Sequence, residues 1–561
     1  MSEKASEKAS EKVSDNGPDN GPENGPEKSP KKRSLINIAS IVAIATLISK
    51  VFGLGRSVIL AAAFGTSASY GAYQFASIIP SFFVVLLGGI NGPFHSAMVS
   101  VLARKDKKES AEILESIATL VGLVMLGVTV LTVVFAPQLL TLVASGLADK
   151  EPEVREMAIQ QLRIMAPTAW FAGMIGLGFG ALNAYEVYWL PSVSPILSSL
   201  AMIGAVGGLW FMLGNQIASA QNGAFSGAVL AGAFVAGTVL QWFAQMIAQA
   251  QEGLGGFRFR LDLKSPAVKE VVRLMGPALF ASGMLQINVY TDMQFTSYLP
   301  NPSAAVSALD YANLLVQTPL GILSNMILVP FLPIFSQLAD PQNWGELKGR
   351  IRQGLLITAT AMLPLGALMI ALSGPIVTVV YSRGAFDAES VRVTTSVLIA
   401  YAFGMFVYLG RDVLVRVFYA LGDSDTPFKI SLVNIGLNAL FDWLLLPLGV
   451  QGLVFATVSV NVLSLIALTY YLNRKLNGLP WKSWGVSIVG LTLVSLLAGM
   501  ASYGVLTALQ GPLGTVGFVP VLIELCVSGG VGLVAFGLIA MQLRIPEVML
   551  LSDRVLSKVR R

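Results

Sequence analysis

INIASIVAIATLISKVFGLGRSVILAAAF, residues 36–64, is one long apolar segment that carries two cations, Lys50 and Arg56, around Gly53 and Gly55. It exceeds the roughly 20 residues needed to cross a hydrocarbon core of about 30 Å, so it reads as a transmembrane helix. A charge at that depth costs roughly 2.5 to 3.5 kcal/mol on insertion scales and therefore faces a water-filled cavity or an anionic partner. The segment points to a membrane protein that handles something negative.

The rest of the chain has the same character. Of 561 residues, 54% are hydrophobic and 12% charged, and the mean hydropathy is +0.69, which is an integral membrane composition. The isoelectric point near 9.1 comes from cations beside apolar spans, where topology accounts for them, and no nucleic-acid module is present. Cys526 is the single cysteine, so no intramolecular disulfide forms, and a thiol catalyst would lack a partner because His95 is the single histidine. The SEKA and NGP repeats of residues 1–33 cannot bury a core and read as a disordered cytoplasmic tail. They do not form a signal peptide, since the apolar run comes late and is too long for an h-region.

Fourteen apolar spans follow one another: 36–64, 71–103, 110–144, 155–184, 190–214, 222–250, 267–299, 303–338, 347–373, 390–421, 426–448, 450–473, 483–509 and 517–543. Cations flank alternate loops. Lys31, Lys32 and Arg33 precede span one, and Arg104, Lys105, Lys107 and Lys108 follow span two. The same side receives Arg258, Arg260 and Lys264, then Lys348, Arg350 and Arg352, then Arg474, Lys475 and Lys482, and finally the basic tail 546–561. The opposite loops are nearly uncharged, and Asp149 to Glu156 is net acidic. This pattern places both termini in the cytoplasm. Pro93–Phe94 in span two and Pro330–Phe331 in span eight open two similar stretches, which suggests two six-span halves of the kind that rock around a central site.

Several spans carry polar groups. Lys50 and Arg56 suit a cationic cavity wall for a phosphate-bearing substrate, with snorkelling or an internal ion pair as the plainer account. Gly53 and Gly55 are candidate hinge residues, as are Gly88, Gly89, Gly92 and Pro93 in span two. Span seven offers Gln286, Asn288, Asp292 and Gln294, and span eleven offers Asn438 and Asp442 at i, i+4 on one helix face. Such oxygen ligands hold Na⁺, carry a proton, or simply hydrogen-bond between helices. Span ten has Arg411, Asp412 and Arg416, where Asp412 and Arg416 have the spacing of a structural ion pair. GDSDTP, 422–427, reads as a turn with a helix N-cap and Pro427 at the first helical position, and His95 reads as a hydrogen-bonded interior residue. No P-loop, nucleophile elbow, HExxH or CxxC is present, which leaves ATP-driven transport and hydrolase chemistry without support.

The motifs ISKVFGLGR (48–56) with AAAFG (61–65), VVRLMGPALF (271–280), YSRGAFD (381–387) and VFYALGDSDTPFKI (417–430) resemble the MurJ/MviN lipid II flippases of the MOP exporter superfamily across nearly all of residues 34–545. GGINGPFHS (88–96) is similar to the cyanobacterial form. The resemblance implies an all-α membrane protein with two pseudosymmetric six-helix lobes, 34–250 and 251–475, around a cationic cavity. It also implies two further helices, 476–545, that help form a groove for the lipid tail. The implied activity is movement of the undecaprenyl-diphosphate-linked peptidoglycan precursor from the cytoplasmic to the periplasmic leaflet of the bacterial inner membrane, without enzyme chemistry.

On this resemblance Lys50 and Arg56 bind the diphosphate, and Asp292, Asn438, Asp442, Val454 and Thr457 match a sodium site. No cofactor beyond Na⁺ or H⁺ as coupling ion is implied, and cell-wall synthesis or division proteins are the implied protein partners. The chain departs from the family where an arginine pair is usual, at Val84 and Val85, and at Gly71 and Ala312–Asn313–Leu314, where an acid and an arginine are usual. Export of another lipid-linked glycan or of drugs, and a non-transporting scaffold, are the alternatives. A glycosyltransferase would need a larger loop than any present.

Overall fold

A helix satisfies every backbone group within its own segment, and a chain that crosses hydrocarbon has few other solutions. The computed structural model describes residues 35–542 apart from 90–91, 257, 263, 285 and 515–516, and all its regular elements are helical. The expected tails, 1–33 and 546–561, lie outside the described residues.

The segment expected to form the first lobe runs through α1 (Leu35–Phe64), α2 (Ala68–Leu86), α3 (Pro93–Leu102), α4 (Lys107–Val134), α5 (Ala136–Ala144), α6 (Leu147–Lys150) and α7 (Pro152–Met165). It is completed by α8 (Thr168–Ala184), α9 (Trp189–Val193), α10 (Pro195–Leu213) and α11 (Gly223–Gln251). The segment expected to form the second lobe holds α12 (Pro266–Met284), α13 (Ile287–Thr296), α14 (Pro302–Gln337), α15 (Trp344–Ala371), α16 (Ser373–Tyr381), α17 (Ala388–Ala420), α18 (Asp425–Leu445) and α19 (Val450–Lys475). A final hairpin, α20 (Trp481–Leu513) and α21 (Phe518–Gln542), packs on α15 and α16.

Among the described residues, twelve helices are long and apolar enough to cross a membrane, and α7 with α8, bent by 41°, makes a thirteenth. The remaining span, 267–299, is divided: α12 stops at Met284 and α13 starts at Ile287. Its two halves pack differently, since α12 packs on α3 and α4 while α13 packs on α18 and α5. Large apolar side chains such as Phe211, Val486 and Leu142 point outward, which is the surface a bilayer covers.

Of the two candidate hinges, only one interrupts a helix. Span two breaks between Leu86 and Pro93, with Gly88, Gly89 and Gly92 in the gap. By contrast α1 continues through Gly53 and Gly55, because in an apolar segment each intrahelical hydrogen bond lost would go unreplaced. The similar stretch of span eight also differs, as Pro330 lies inside unbroken α14 together with Pro319 and Pro333.

Candidate functional site

The lobes meet at one end through buried aromatics. Tyr70 of α2 stacks on Tyr311 of α14 at 5.2 Å between ring centroids and 10° between planes, and Tyr311 meets Tyr381 and Phe386 at 5.1 and 5.4 Å. The Tyr311 hydroxyl donates to the Gly65 carbonyl at 3.0 Å. The Tyr381 hydroxyl donates to the Tyr311 carbonyl at 3.1 Å, and the Ala385 N–H to Ala62 at 2.8 Å. Backbones come this close because glycines face them: a Cβ on Gly71 would run into Ser303, and one on Gly384 into the Ala62 carbonyl. The acid that the family resemblance places at position 71 has no room here.

A different acid takes up the contact. Glu151, in the turn between α6 and α7, accepts from the Ser303 N–H at 3.2 Å and from its hydroxyl at 3.0 Å. The first turn of α14 has an unpaired N–H to offer, since Asn301 makes no side-chain cap, so one lobe caps a helix of the other. Burial pushes the Glu151 carboxyl above its ordinary range, against the opposing pull of the two Ser303 hydrogen bonds.

Beneath this plug lies Asp310 of α14, which accepts from the Tyr70 hydroxyl at 2.9 Å; Gln74 donates to that hydroxyl at 3.2 Å. Asp310 is accessible through a cavity of about 200 Å³ that Gln74, Asp292, Asn313 and Thr457 also line. Arg56 is an electrostatic neighbour of Asp310 and of Tyr73, and its Nε is buried without a partner. Lys50 lies elsewhere on α1, with its ammonium against Gly321 of α14. The two cations therefore face different surroundings: an internal carboxylate for Arg56, the space between the lobes for Lys50. Asp310 escaped the sequence reading, although a lone acid in an apolar span was visible there.

The candidate cation residues do converge. Asn438 Nδ2 donates to Asp292 Oδ1 at 2.6 Å and to Asp442 Oδ2 at 2.9 Å. The Asp292 side chain is also within hydrogen-bond reach of Asp442 and Thr457, and Val454 and Thr457 line the cavity that Asp292 enters. Asp442 is fully buried, and its Oδ1 has no partner. Two carboxylates side by side need a proton or a cation between them to coexist, so this donor set fits a small hard cation. Gln294 lies apart from this group: it joins Ser145, just after α5, across the lobes, accepting from the Ser145 N–H at 3.1 Å.

The helical ion pair expected between Asp412 and Arg416 does not form. Arg416 instead donates to the Leu328 carbonyl at 3.3 Å, and Asp412 lies 3.9 Å from Arg411, because Arg416 turns toward α14. In GDSDTP the N-cap position is Ser424, which makes no side-chain cap, and Asp423 one residue earlier accepts from the Thr426 N–H at 3.0 Å and from Lys475 at 2.7 Å. Pro427 sits two residues inside α18 rather than at its first position. His95 is an interior residue paired with Asn183 at 2.7 Å.

A family model described as lipid II flippase MurJ matches residues 60–524. A relative from Synechocystis sp., a probable lipid II flippase MurJ, is 50% identical over 530 residues, covering 94% of this chain and 98% of its own length. The chain belongs to the lipid II flippase MurJ family. Within that family the Burkholderia cenocepacia lipid II flippase MurJ is 28% identical over 472 residues, 81% of this chain and 87% of its own. Among solved structures, a lipid II flippase MurJ in an inward closed conformation superposes with a TM-score of 0.73 at 22% identity, covering 90% of this chain and 99% of its own. An inward-facing MATE transporter of the MOP superfamily reaches 0.63 at 14% identity, covering 78% and 98%. The family fold thus extends to drug exporters, while sequence identity ties this chain to the flippases. These relatives are transporters, not enzymes.

Proposed function

We propose that this chain flips lipid II, the undecaprenyl-diphosphate-linked peptidoglycan precursor, from the cytoplasmic to the periplasmic leaflet of the bacterial inner membrane. The observation that carries this reading is the half-identity to the Synechocystis flippase over almost the whole chain. With both termini in the cytoplasm, the aromatic plug lies on the periplasmic side and the polar space beside Lys50 faces the cytoplasm. Alternating access then requires the plug to open and the lobes to meet at the other end. Lys50 meets the diphosphate as a point charge, and Arg56 becomes available to it when the lobes part and Asp310 moves away.

Na⁺ is the coupling ion that the donor set suits. Asp292, Asp442, Asn438 and Thr457 would hold it, and its charge would let both carboxylates stay ionised. In the present arrangement the Asn438 amide N–H does that work, so binding requires the amide to turn its oxygen inward. A cation that prefers one arrangement of α13 against α18 and α19 shifts the balance between lobe states by that difference in affinity.

Depletion in the host, with lipid II assayed separately in each leaflet, tests the reading. Accumulation in the cytoplasmic leaflet is expected. Undisturbed lipid II distribution after full depletion would overturn it.

A further inference from the structure

We propose that Arg411 is a ligand for the phosphate-bearing headgroup, completing with Lys50 an anion clamp drawn from both lobes. The proposal rests on the flippase reading and adds a residue to it.

Arg411 lies on α17 in the wall between two polar cavities. One, of about 300 Å³, holds Asp292, Asn434 and Asn438. The other, of about 270 Å³, is lined by Gln317, Gly321, Ser324, Asp412 and Asn461. Gly321, which lines the second cavity, is the residue against which the Lys50 ammonium rests, so a cation from α1 lies beside a wall of the space that Arg411 lines. The same cavity is lined by the neutral hydrogen-bonding groups Gln317, Ser324 and Asn461 and by Asp412.

The guanidinium is positioned but not neutralised. Its Nε donates to Ser464 at 3.1 Å and its Nη2 to Ser431 at 3.5 Å. Both are uncharged hydroxyls, and two of five N–H donors are thereby engaged. The nearest carboxylate, Asp412, is 3.9 Å from Nη1, and its side chain is 51% exposed, so solvent screens that pair. Lys50 has no ion-pair partner among the described residues. Of the charges on this part of α17, Arg416 is committed to the Leu328 carbonyl, which leaves Arg411 as the cation aimed into the cavities. A planar fork that lines a polar cavity, with a point ammonium resting on a residue of its wall, is an arrangement that a phosphate or diphosphate fills.

The test is binding of undecaprenyl diphosphate to the purified full-length protein, for the parent, Lys50→Gln, Arg411→Gln and the double variant. Arg411→Gln keeps an amide N–H at the place of Nε, able to reach Ser464, but loses the charge, and affinity should fall about ten- to hundredfold. The double variant should lose less than the product of the single effects, because both side chains act on one headgroup. Arg411→Lys, which keeps the charge without the fork, should fall between parent and Arg411→Gln, and it serves if Arg411→Gln does not fold. Parent-like affinity in both Arg411 variants, beside a weakened Lys50→Gln, overturns this proposal and leaves the flippase reading intact. Unchanged lipid affinity with altered Na⁺-dependent thermal stabilisation also overturns it, placing Arg411 with the cation residues instead. A parent that does not bind the lipid overturns both readings.

Discussion

Gly71→Ala should shift the lobes away from the closed plug. Position 71 sits in the first turn of α2, where an added Cβ meets the side chain and the backbone of Ser303. Backbone cannot swing aside as the end of a side chain can, so α2 and the start of α14 must separate or strain. Overpacking of a fitted contact costs about 1 to 3 kcal/mol. Alanine also favours the helix over glycine by about 0.8 to 1 kcal/mol, but that gain belongs to α2 in either lobe state and cancels from the equilibrium. The ratio of closed to open molecules should therefore fall about 5- to 150-fold. Spin labels at Asp149 and Asn301, both exposed on opposite lobes at this end, report the change by pulsed dipolar spectroscopy on a Cys526→Ser background. Growth of a longer distance is expected. A distance distribution identical to that of the parent would refute the close-approach argument.

Glu151→Ala leaves the first turn of α14 without its cap, worth about 0.5 to 2 kcal/mol, and the same labels should again separate. The Glu151 carboxyl is held above its ordinary value in the closed plug, so closing takes up protons: acidification should favour the closed form, and that advantage should fade as pH rises past the raised value. Glu151→Gln should abolish this response, and a response that persists would assign it to another group. Tyr70→Phe removes the hydroxyl that Asp310 accepts from, a hydrogen bond to a charged group worth about 1.5 to 3 kcal/mol; a melting temperature equal to that of the parent would contradict it. Asp442→Asn should eliminate Na⁺-dependent thermal stabilisation, because it takes away one of the two paired carboxylates; a full Na⁺ shift in that variant would place the cation elsewhere.

Membrane insertion was legible from residues 36–64 onward, because hydrocarbon thickness and backbone satisfaction act on each segment by itself and leave runs of about 20 apolar residues in the chain. Asn438 and Asp442 were readable as one face for the same local reason, the 3.6-residue turn. The sequence by itself thus determined the apolar spans, close to their number, and the polar residues that lie in them, but not the breaks that divide span two and span 267–299. What it could not determine is which of those residues meet across helices distant in the chain. Arg56 and Lys50 share a helix, yet Asp310, 254 positions after Arg56, lies beside one of them and Gly321 beside the other. Glu151 reads as part of an acidic loop until the tertiary fold lays it on the start of α14. Arg411 reads only as a neighbour of the expected Asp412–Arg416 pair until α17 sets it between two cavities. In each case the partner is chosen by packing between elements, which depends on the shape of the whole bundle and leaves no periodicity along the chain.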